Sequence, residues 1–159
     1  MSKKFTTIGL IGRQGMQAVS DTLTAVLDYL QVRGLEVLVE EETAASLKTQ
    51  QFTCCARDKL ARKVDLLIVV GGDGSLINAA HSAVEHDTPV LGVNRGRLGF
   101  LTDIHPQDLE KKIGEVLNGD YQEEQRFLLN TTIALQRDKL EAGIALNEVV
   151  LMPGNVARM

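Results

Sequence analysis

The sequence predicts an α/β fold: a parallel-sheet nucleotide-binding domain with helices on both faces, followed by an antiparallel hairpin. Up to residue 119, short apolar strands alternate with amphipathic helices, an order typical of parallel sheets. One strand, at 64–70, is almost wholly aliphatic, as is usual for a strand that helices cover on both sides. Beyond residue 125, two strand patterns follow each other with no helix between them.

Hydrophobic spacing and capping residues define the elements of the first part. Leucine and valine residues between positions 23 and 30 share one face of the first helix, and Ser20 or Asp21 can cap its start. Gly34 can end that helix, and Pro106 suits the first turn of the last one. The predicted elements are a strand at 5–12, a helix at 20–34, a strand at 35–41, a short helix at 54–63, a strand at 64–70, a helix at 75–86, a strand at 89–94 and a helix at 106–118.

The last forty residues have a different character. Strands at 126–137 and 143–152 are predicted to form a hairpin through a turn at 138–142. We therefore expect an α/β nucleotide-binding domain at 1–119 and the start of a second, mostly β domain at 120–159. Two strands alone are marginally stable in water. The hairpin should pack on the first domain, be completed by a partner, or belong to a truncated chain.

The overall composition argues against several kinds of partner. A net charge of −4 over 159 residues disfavours nucleic acid and anionic membrane surfaces. No apolar stretch approaches the roughly 18 residues of a membrane-spanning helix. The adjacent Cys54 and Cys55 and the scattered histidines lack metal-ligand spacing. These features favour a cytoplasmic protein with no nucleic-acid or membrane partner.

The stretch VVGGDGSLINAA at 69–80 places three glycines and a carboxylate between a strand and a helix. Glycine tolerates positive φ and lets a bulky anionic ligand approach the backbone. The turn lies at the carboxyl end of a central strand and at a helix N-terminus, where nucleotide phosphates bind. It predicts a phosphate loop formed by Gly71, Gly72, Gly74 and Ser75.

Asp73 has a different role, because a carboxylate does not bind phosphate. The helix N-terminus favours its ionised form, which can accept a hydrogen bond from a hydroxyl group or hold a magnesium ion. Both serve phosphoryl transfer to a hydroxyl. Two other interpretations stay open: Asp73 is only the helix N-cap, or the acidic run at 40–42 binds a ribose in a dehydrogenase-type domain, although the dinucleotide fingerprint is absent.

Three stretches resemble the successive motifs of the NAD kinase family in order and spacing. They are GGDGS at 71–75, GVNRGRLGFLTDI at 92–104 and LNEVVLMPGNVARM at 146–159. The first is shared with diacylglycerol kinases, sphingosine kinases and phosphofructokinases, whereas the other two are more specific. On these stretches the chain is identified as a member of the NAD kinase family along essentially its whole length.

The resemblance implies an enzyme that transfers the terminal phosphate of ATP to the 2′-hydroxyl of the adenosine ribose of NAD. Its products are NADP and ADP, and some members accept inorganic polyphosphate as the donor. Members need a divalent metal, usually magnesium. They are cytoplasmic and generally assemble as homodimers or homotetramers.

The resemblance also assigns roles to individual residues. Asp73 matches the family's proposed proton acceptor and, with Gly74, contacts the NAD. Phe100 matches an aromatic residue that lies against the adenine, and Arg158 matches a basic position near the dinucleotide. The resemblance leaves the metal ligands unassigned.

Asn147 and Glu148 match an Asn-Glu pair that binds NAD. Neighbouring strand residues point to opposite faces, so the strand must bulge or end at this pair. Two departures from the family pattern stand out. Ser75 replaces a common threonine and keeps the hydroxyl, and Asn78 stands where many members carry arginine, which puts any phosphate contact of that arginine in doubt.

Several alternatives remain at this stage. The chain could be a lipid or sugar kinase that shares only the glycine turn, or a non-catalytic nucleotide-binding module. Taken singly, Phe100 suits a core position, Arg158 a solvated terminus, and Arg95 and Arg97 either solvent or a phosphate contact. The family's chain normally continues into a β domain with a further GDG segment. We therefore expect these residues to be an N-terminal portion that is inactive or very weak alone.

Overall fold

The computed structural model describes residues 4–48, 51–95, 99–102, 104–135 and 138–150. The chain divides into two compact units, Met1–Glu123 and Glu124–Met159. The sequence placed this boundary after Gly119, so the two positions lie within a few residues of each other.

The first unit is built on a five-stranded parallel sheet. Its strands are β1 (Thr7–Gly12), β2 (Glu36–Glu40), β3 (Thr53–Cys55), β4 (Leu66–Gly71) and β5 (Val90–Asn94). They lie in the order β3-β2-β1-β4-β5, with every neighbouring pair parallel. From β1 the chain adds β2 and β3 on one side, and it then adds β4 and β5 on the other side of β1. The strand order thus reverses between β1 and β4, which creates a crevice at the carboxyl ends of these two strands. The predicted α/β fold class is confirmed.

Five helices accompany this sheet among the described residues. They are α1 (Gln17–Val32), α2 (Glu41–Ala44), α3 (Arg57–Leu60), α4 (Asp73–Ala83) and α5 (Leu109–Leu117). Short 3-10 turns at Ala61–Lys63, Val84–His86 and Pro106–Asp108 extend α3 and α4 and precede α5.

The core consists of two apolar layers, one on each face of the sheet. Alternate residues of a strand point to opposite faces, so Ile68 of β4 packs with α1 and α5 on one side. Its neighbours Leu67 and Val69 pack with α3 and α4 on the other side. This double coverage explains why β4 is apolar at nearly every position.

Helix α1 begins three residues earlier than predicted, and neither Ser20 nor Asp21 caps it. The N-cap is Met16, whose carbonyl accepts the N–H groups of Val19 and Ser20 at 2.9 and 3.2 Å. Asp21 instead accepts a side-chain hydrogen bond from Gln17 one turn earlier, at 2.8 Å. The capping prediction is wrong because the helix can start without a side-chain cap when its apolar face packs well.

The predicted helix at 54–63 is also partly wrong. Cys54 and Cys55 lie in β3, which pairs with β2 at the sheet edge, and the helix starts at Arg57. The short helix α2 was not predicted. A three-residue strand has no readable periodicity, and β3 exists because β2 supplies its hydrogen-bond partners.

The second unit contains an antiparallel hairpin of β6 (Leu129–Leu135) and β7 (Asp138–Ala145). The predicted turn at 138–142 is wrong, because these residues form the first part of β7, where Asp138 pairs with Leu135. Strand β7 also ends at Ala145, well before the predicted residue 152. Polar and charged residues at 138–142 are compatible with a strand, because β6 provides hydrogen-bond partners for their backbone groups.

None of the helices in the described part of the chain is long and apolar enough to cross a membrane.

The buried residue Ile68 gives a test of the two-layer core. Ile68→Ala removes a fully buried side chain from β4. It should lower the free energy of unfolding by about 2–5 kcal/mol, because apolar transfer is lost and a cavity forms. Urea denaturation of the chain measures this change. Val32→Ala, at a side chain that is 89% exposed, is the matched control, and a similar loss there would contradict the assignment of the core.

Candidate functional site

A cleft opens where the strand order reverses, at the carboxyl ends of β1 and β4. The Arg13 N–H donates to the Val70 carbonyl at 3.1 Å, which ties the segment after β1 to β4. The cleft has a volume of about 460 Å³. Its lining combines the end of β1 and the two residues after it, one residue each from α2 and α3, and the first half of α4 with its N-cap: Ile11, Gly12, Arg13, Gln14, Glu42, Arg57, Gly72, Gly74, Ser75 and Asn78.

The glycine-rich turn forms the start of α4 on one side of this cleft. Gly72 is the N-cap, and its carbonyl accepts the N–H groups of Ser75 and Leu76 at 3.0 and 3.2 Å. The N–H groups of Asp73 and Gly74 precede the first intrahelical bonds and have no acceptor within the helix. Together with the positive end of the helix dipole they suit a phosphate group.

The three glycines of this turn serve packing and space and not a left-handed backbone. None of Gly71, Gly72 and Gly74 has a positive φ, so the turn does not use the positive-φ freedom that glycine offers. A Cβ at Gly71 would overlap the Ser75 side chain, whereas a Cβ at Gly72 or Gly74 would project into open space. Gly71 is therefore needed by the protein's own packing. Gly72 and Gly74 leave room for a ligand to approach the backbone.

Asp73 does not cap its helix. Its two carboxylate oxygens accept the N–H groups of Phe100 at 2.8 Å and Leu101 at 3.1 Å, in the loop that follows β5. The hydrogen bond from Phe100, followed by that from Leu101, holds the pKa of this carboxyl below its ordinary value. A Cβ at Gly99 would overlap the carboxylate, so this glycine permits the close approach of the loop. The group is fixed in place and remains ionised at neutral pH.

Phe100 lies beside this carboxylate with its ring in solvent. Its side chain is 96% exposed, so the alternative that it belongs to the core is wrong. An aromatic ring kept in water next to a fixed carboxylate provides a flat apolar surface at the edge of the site.

A second polar network crosses the floor of the cleft. The Gly12 N–H donates to the Thr43 hydroxyl at 2.9 Å, and that hydroxyl donates to the Glu40 carboxylate at 2.6 Å. Arg57 donates through Nε to the same carboxylate and through Nη1 to the Asn78 side-chain oxygen, the latter at 2.6 Å. Glu40 is only 1% exposed and already has these partners. It is not available to a ribose, which removes one support for the dehydrogenase-type alternative.

Arg95 is used inside the fold. Its N–H donates to the Gly71 carbonyl at 2.8 Å, and its Nε donates to the hydroxyl of Thr22 on α1. It therefore connects β5, β4 and α1, so it is not a purely solvated loop residue. Arg97 and Arg158 lie outside the described residues.

Asn147 and Glu148 belong to the second unit and follow the end of β7. Both are exposed, and the backbone bends at Asn147. The strand ends before this pair, as a shared ligand would require. A metal site has no separate support, because the described residues include no cluster of three acidic, histidine or cysteine side chains that could hold an ion.

Sequence reasoning missed several residues that the fold brings to the site: Arg13, Gln14, Arg57 and Gly99. Arg13 and Gln14 directly follow β1, and the rule that ligands bind at the carboxyl ends of parallel strands could have found them. Arg57 and Gly99 carried no such signal. Their role depends on Glu40 and Asp73, which are distant in sequence.

Comparison with known proteins agrees with the three resembling stretches. Residues 8–121 match a family model described as the ATP-NAD kinase N-terminal domain. The chain is 48% identical over 157 residues to an NAD kinase of Teredinibacter turnerae and 50% identical over 155 residues to one of Coxiella burnetii. These alignments cover 99% and 98% of this chain but 54% and 52% of the relatives. The chain thus spans about half the length of the curated relatives it matches.

Solved structures show the same fold. The crystal structure of yeast NADH kinase complexed with NADH is similar with a TM-score of 0.75 and 16% sequence identity, over 90% of this chain and 46% of that chain. At this identity the likeness concerns the fold. The family model, by contrast, matches well over half of the chain and includes the glycine turn, the Asp73 carboxylate and the loop that binds it. The chain therefore belongs to the NAD kinase family.

Proposed function

We propose that the protein transfers the terminal phosphate of ATP, or of polyphosphate as a second donor, to the 2′-hydroxyl of the adenosine ribose of NAD. The observation that carries this proposal is the Asp73 carboxylate, which is ionised and fixed at the start of α4 beside a cleft suited to phosphates. This arrangement supports a hydroxyl acceptor and a phosphate donor held side by side.

The proposed role of Asp73 is to orient the hydroxyl. A carboxylate offers about four lone-pair positions, and the N–H groups of Phe100 and Leu101 use two of them. The N–H and hydroxyl groups of Thr102 also interact with this carboxylate and lower its pKa. Asp73 is partly exposed, so a lone pair on its solvent side can accept the ribose O–H. The lowered pKa of Asp73 makes it a weak base, but phosphoryl transfer through a loose transition state depends mainly on positioning and charge stabilisation. Such a carboxylate still provides an acceptor that stays unprotonated at neutral pH.

Phe100 is proposed to hold the adenine of the same NAD. Its backbone N–H donates to Asp73, so the residue that carries this exposed ring is a direct neighbour of the carboxylate. The adenine and the ribose of adenosine are likewise adjacent. Binding of the adenine by Phe100 would therefore help to place the ribose hydroxyl at Asp73. Gly74 is placed next to the same carboxylate and leaves space for the dinucleotide.

The remaining parts of the proposal come from the family resemblance. Asn147, Glu148 and Arg158 are proposed NAD contacts on the strength of the resemblance. A Mg²⁺ ion would be held chiefly by the donor's phosphates and water, as this ion commonly is, and it would neutralise phosphate charge. We also propose a cytoplasmic homo-oligomer, from the family resemblance and the lack of a membrane-spanning helix among the described residues.

Asp73→Asn tests the central assignment. The change keeps the shape but removes the charge, and its amide group can replace only one of the two oxygen acceptors. NADP formation by the complete gene product should fall by about 10²–10⁴-fold, the usual effect of losing a positioned acid–base group. Steady-state kinetics with NAD and ATP measure this. Near-normal turnover would reject the role.

Stability at low pH provides a second readout on the same variant. The folded-state pKa of Asp73 is lowered, so its stabilising effect is present above the unfolded pKa and is lost as the pH falls through the folded value. The stability difference between wild type and Asp73→Asn should therefore be present at pH 7 and shrink below about pH 4. A difference independent of pH would contradict the assigned hydrogen bonds.

Gly74→Ala separates ligand space from folding. A Cβ here would meet none of the described residues, and at an exposed helical position alanine is more favourable than glycine by about 1 kcal/mol. Thermal stability should be unchanged or slightly raised, whereas kcat/KM should fall at least about tenfold because the methyl group enters the ligand's space. Full activity with unchanged stability would show that no ligand approaches Gly74.

Phe100→Ala tests the adenine contact. Phe100 is 96% exposed, so removal of its ring should leave the melting temperature nearly unchanged. The KM for NAD should rise by about 5–50-fold, since stacking of a base on an aromatic ring contributes roughly 1–3 kcal/mol. The KM for ATP serves as the internal control. An equal rise in both KM values would contradict a specific contact with NAD.

A further inference from the structure

We propose that Arg57 binds the phosphate chain of the donor in the cleft, and that Glu40 and Asn78 are positioning residues that set the orientation of its guanidinium group. This inference deepens the proposed function and rests on it for the identity of the donor. It concerns an arginine of α3 that the sequence did not single out.

Arg57 is the residue through which α3 reaches the cleft. Its side chain is 33% exposed, while that of its partner Glu40 is 2% exposed. The ion pair therefore has a buried anionic end and an accessible cationic end. A ligand entering the cleft meets the guanidinium group and not the carboxylate.

The guanidinium group retains donors for a ligand. It carries five N–H groups, of which one on Nε is used by Glu40 and one on Nη1 by Asn78. The other three N–H groups have no acceptor among the described residues. A planar group with several parallel donors suits phosphate oxygens, and this one is already oriented before the ligand arrives. Less side-chain entropy is then lost on binding.

The buried carboxylate explains why Arg57 stays in place. Burying an ionised carboxylate is costly unless it is paired and hydrogen-bonded, and Glu40 receives hydrogen bonds from Arg57 and Thr43. Asn78 carries no charge, so its contact orients the other end of the guanidinium group. Glu40 lies on β2 and Asn78 lies on α4. Arg57 is therefore held in this position only when β2 and α4 have come together in the folded domain.

The other charges in the cleft are compatible with an anionic ligand. Arg13 lines the same cleft and makes no ion pair with any described residue, so it adds a positive charge. Glu42 is the opposing charge, and it is exposed, where solvent screens it. The N–H groups at the start of α4 complete the cradle.

A purely structural role is the competing explanation, in which Arg57 only neutralises Glu40. The two explanations differ in what happens when the pair is replaced by apolar residues of similar size. Such a replacement of a buried pair is often neutral for stability. It would keep the fold but remove the cation from the cleft.

The test uses the complete gene product and inorganic tripolyphosphate as the probe, measured by isothermal titration calorimetry. The double variant Glu40→Leu with Arg57→Leu should raise the Kd for tripolyphosphate at least about tenfold, and Arg57→Lys should raise it by a smaller factor, because lysine keeps the charge and loses the planar fork. The KM for ATP should rise in parallel, with the KM for NAD unchanged. Arg62→Gln, at an exposed arginine outside the cleft, is the matched control and should bind as wild type.

Each outcome decides the proposal. A folded double variant that binds tripolyphosphate like wild type overturns it, as does a wild-type protein that shows no tripolyphosphate binding. If the double variant does not fold, Arg57→Lys decides by the same measurement. Tripolyphosphate binding that depends on Arg57 without any NADP formation would support the anion site and reject the proposed function. If the double variant forms NADP with an unchanged Kd for tripolyphosphate and an unchanged KM for ATP, the proposed function is supported and the anion site at Arg57 is rejected.

Discussion

The hydrogen bonds between the Asp73 carboxylate and the loop at 99–101 are the interaction on which the site depends. They join the start of α4 to the segment after β5, two parts of the chain that lie 27 and 28 residues apart. The same contact orients the carboxylate, lowers its pKa and brings the exposed residue Phe100 next to it. A single local arrangement therefore links a fixed negative charge to an exposed aromatic residue.

This arrangement is possible because the sheet brings β4 and β5 together with their carboxyl ends aligned. The Arg95 N–H donates to the Gly71 carbonyl, and the Asn94 N–H donates to the Ile104 carbonyl, so the loop leaves β5 at a defined place. Gly99 then lets the loop backbone approach the carboxylate. The apolar layers on the two faces of the sheet hold these strands in register. The packing of these layers therefore also fixes the positions of the polar groups at the carboxyl ends of the strands.

A different hydrogen-bond network organises the cleft between β1 and β4, and here too a carboxylate joins segments that are distant in sequence. Glu40 is buried at the end of β2 and takes hydrogen bonds from Thr43 and Arg57, while Thr43 also accepts the Gly12 N–H. Four elements of the first unit thus meet through one buried carboxylate. A half-buried arginine is thereby brought close to the glycine turn without any of these residues forming a recognisable motif.

The sequence by itself determined the alternation of strands and helices, the position of the glycine turn and the presence of an ionised carboxylate at a helix start. These are local properties, since they depend on hydrophobic period and on residues a few positions apart. It did not determine the partners of Asp73, the exposure of Phe100, the existence of β3 or the extent of the hairpin strands. Only the tertiary structure decided these, because each requires a hydrogen-bond partner or a packing surface that lies far away along the chain.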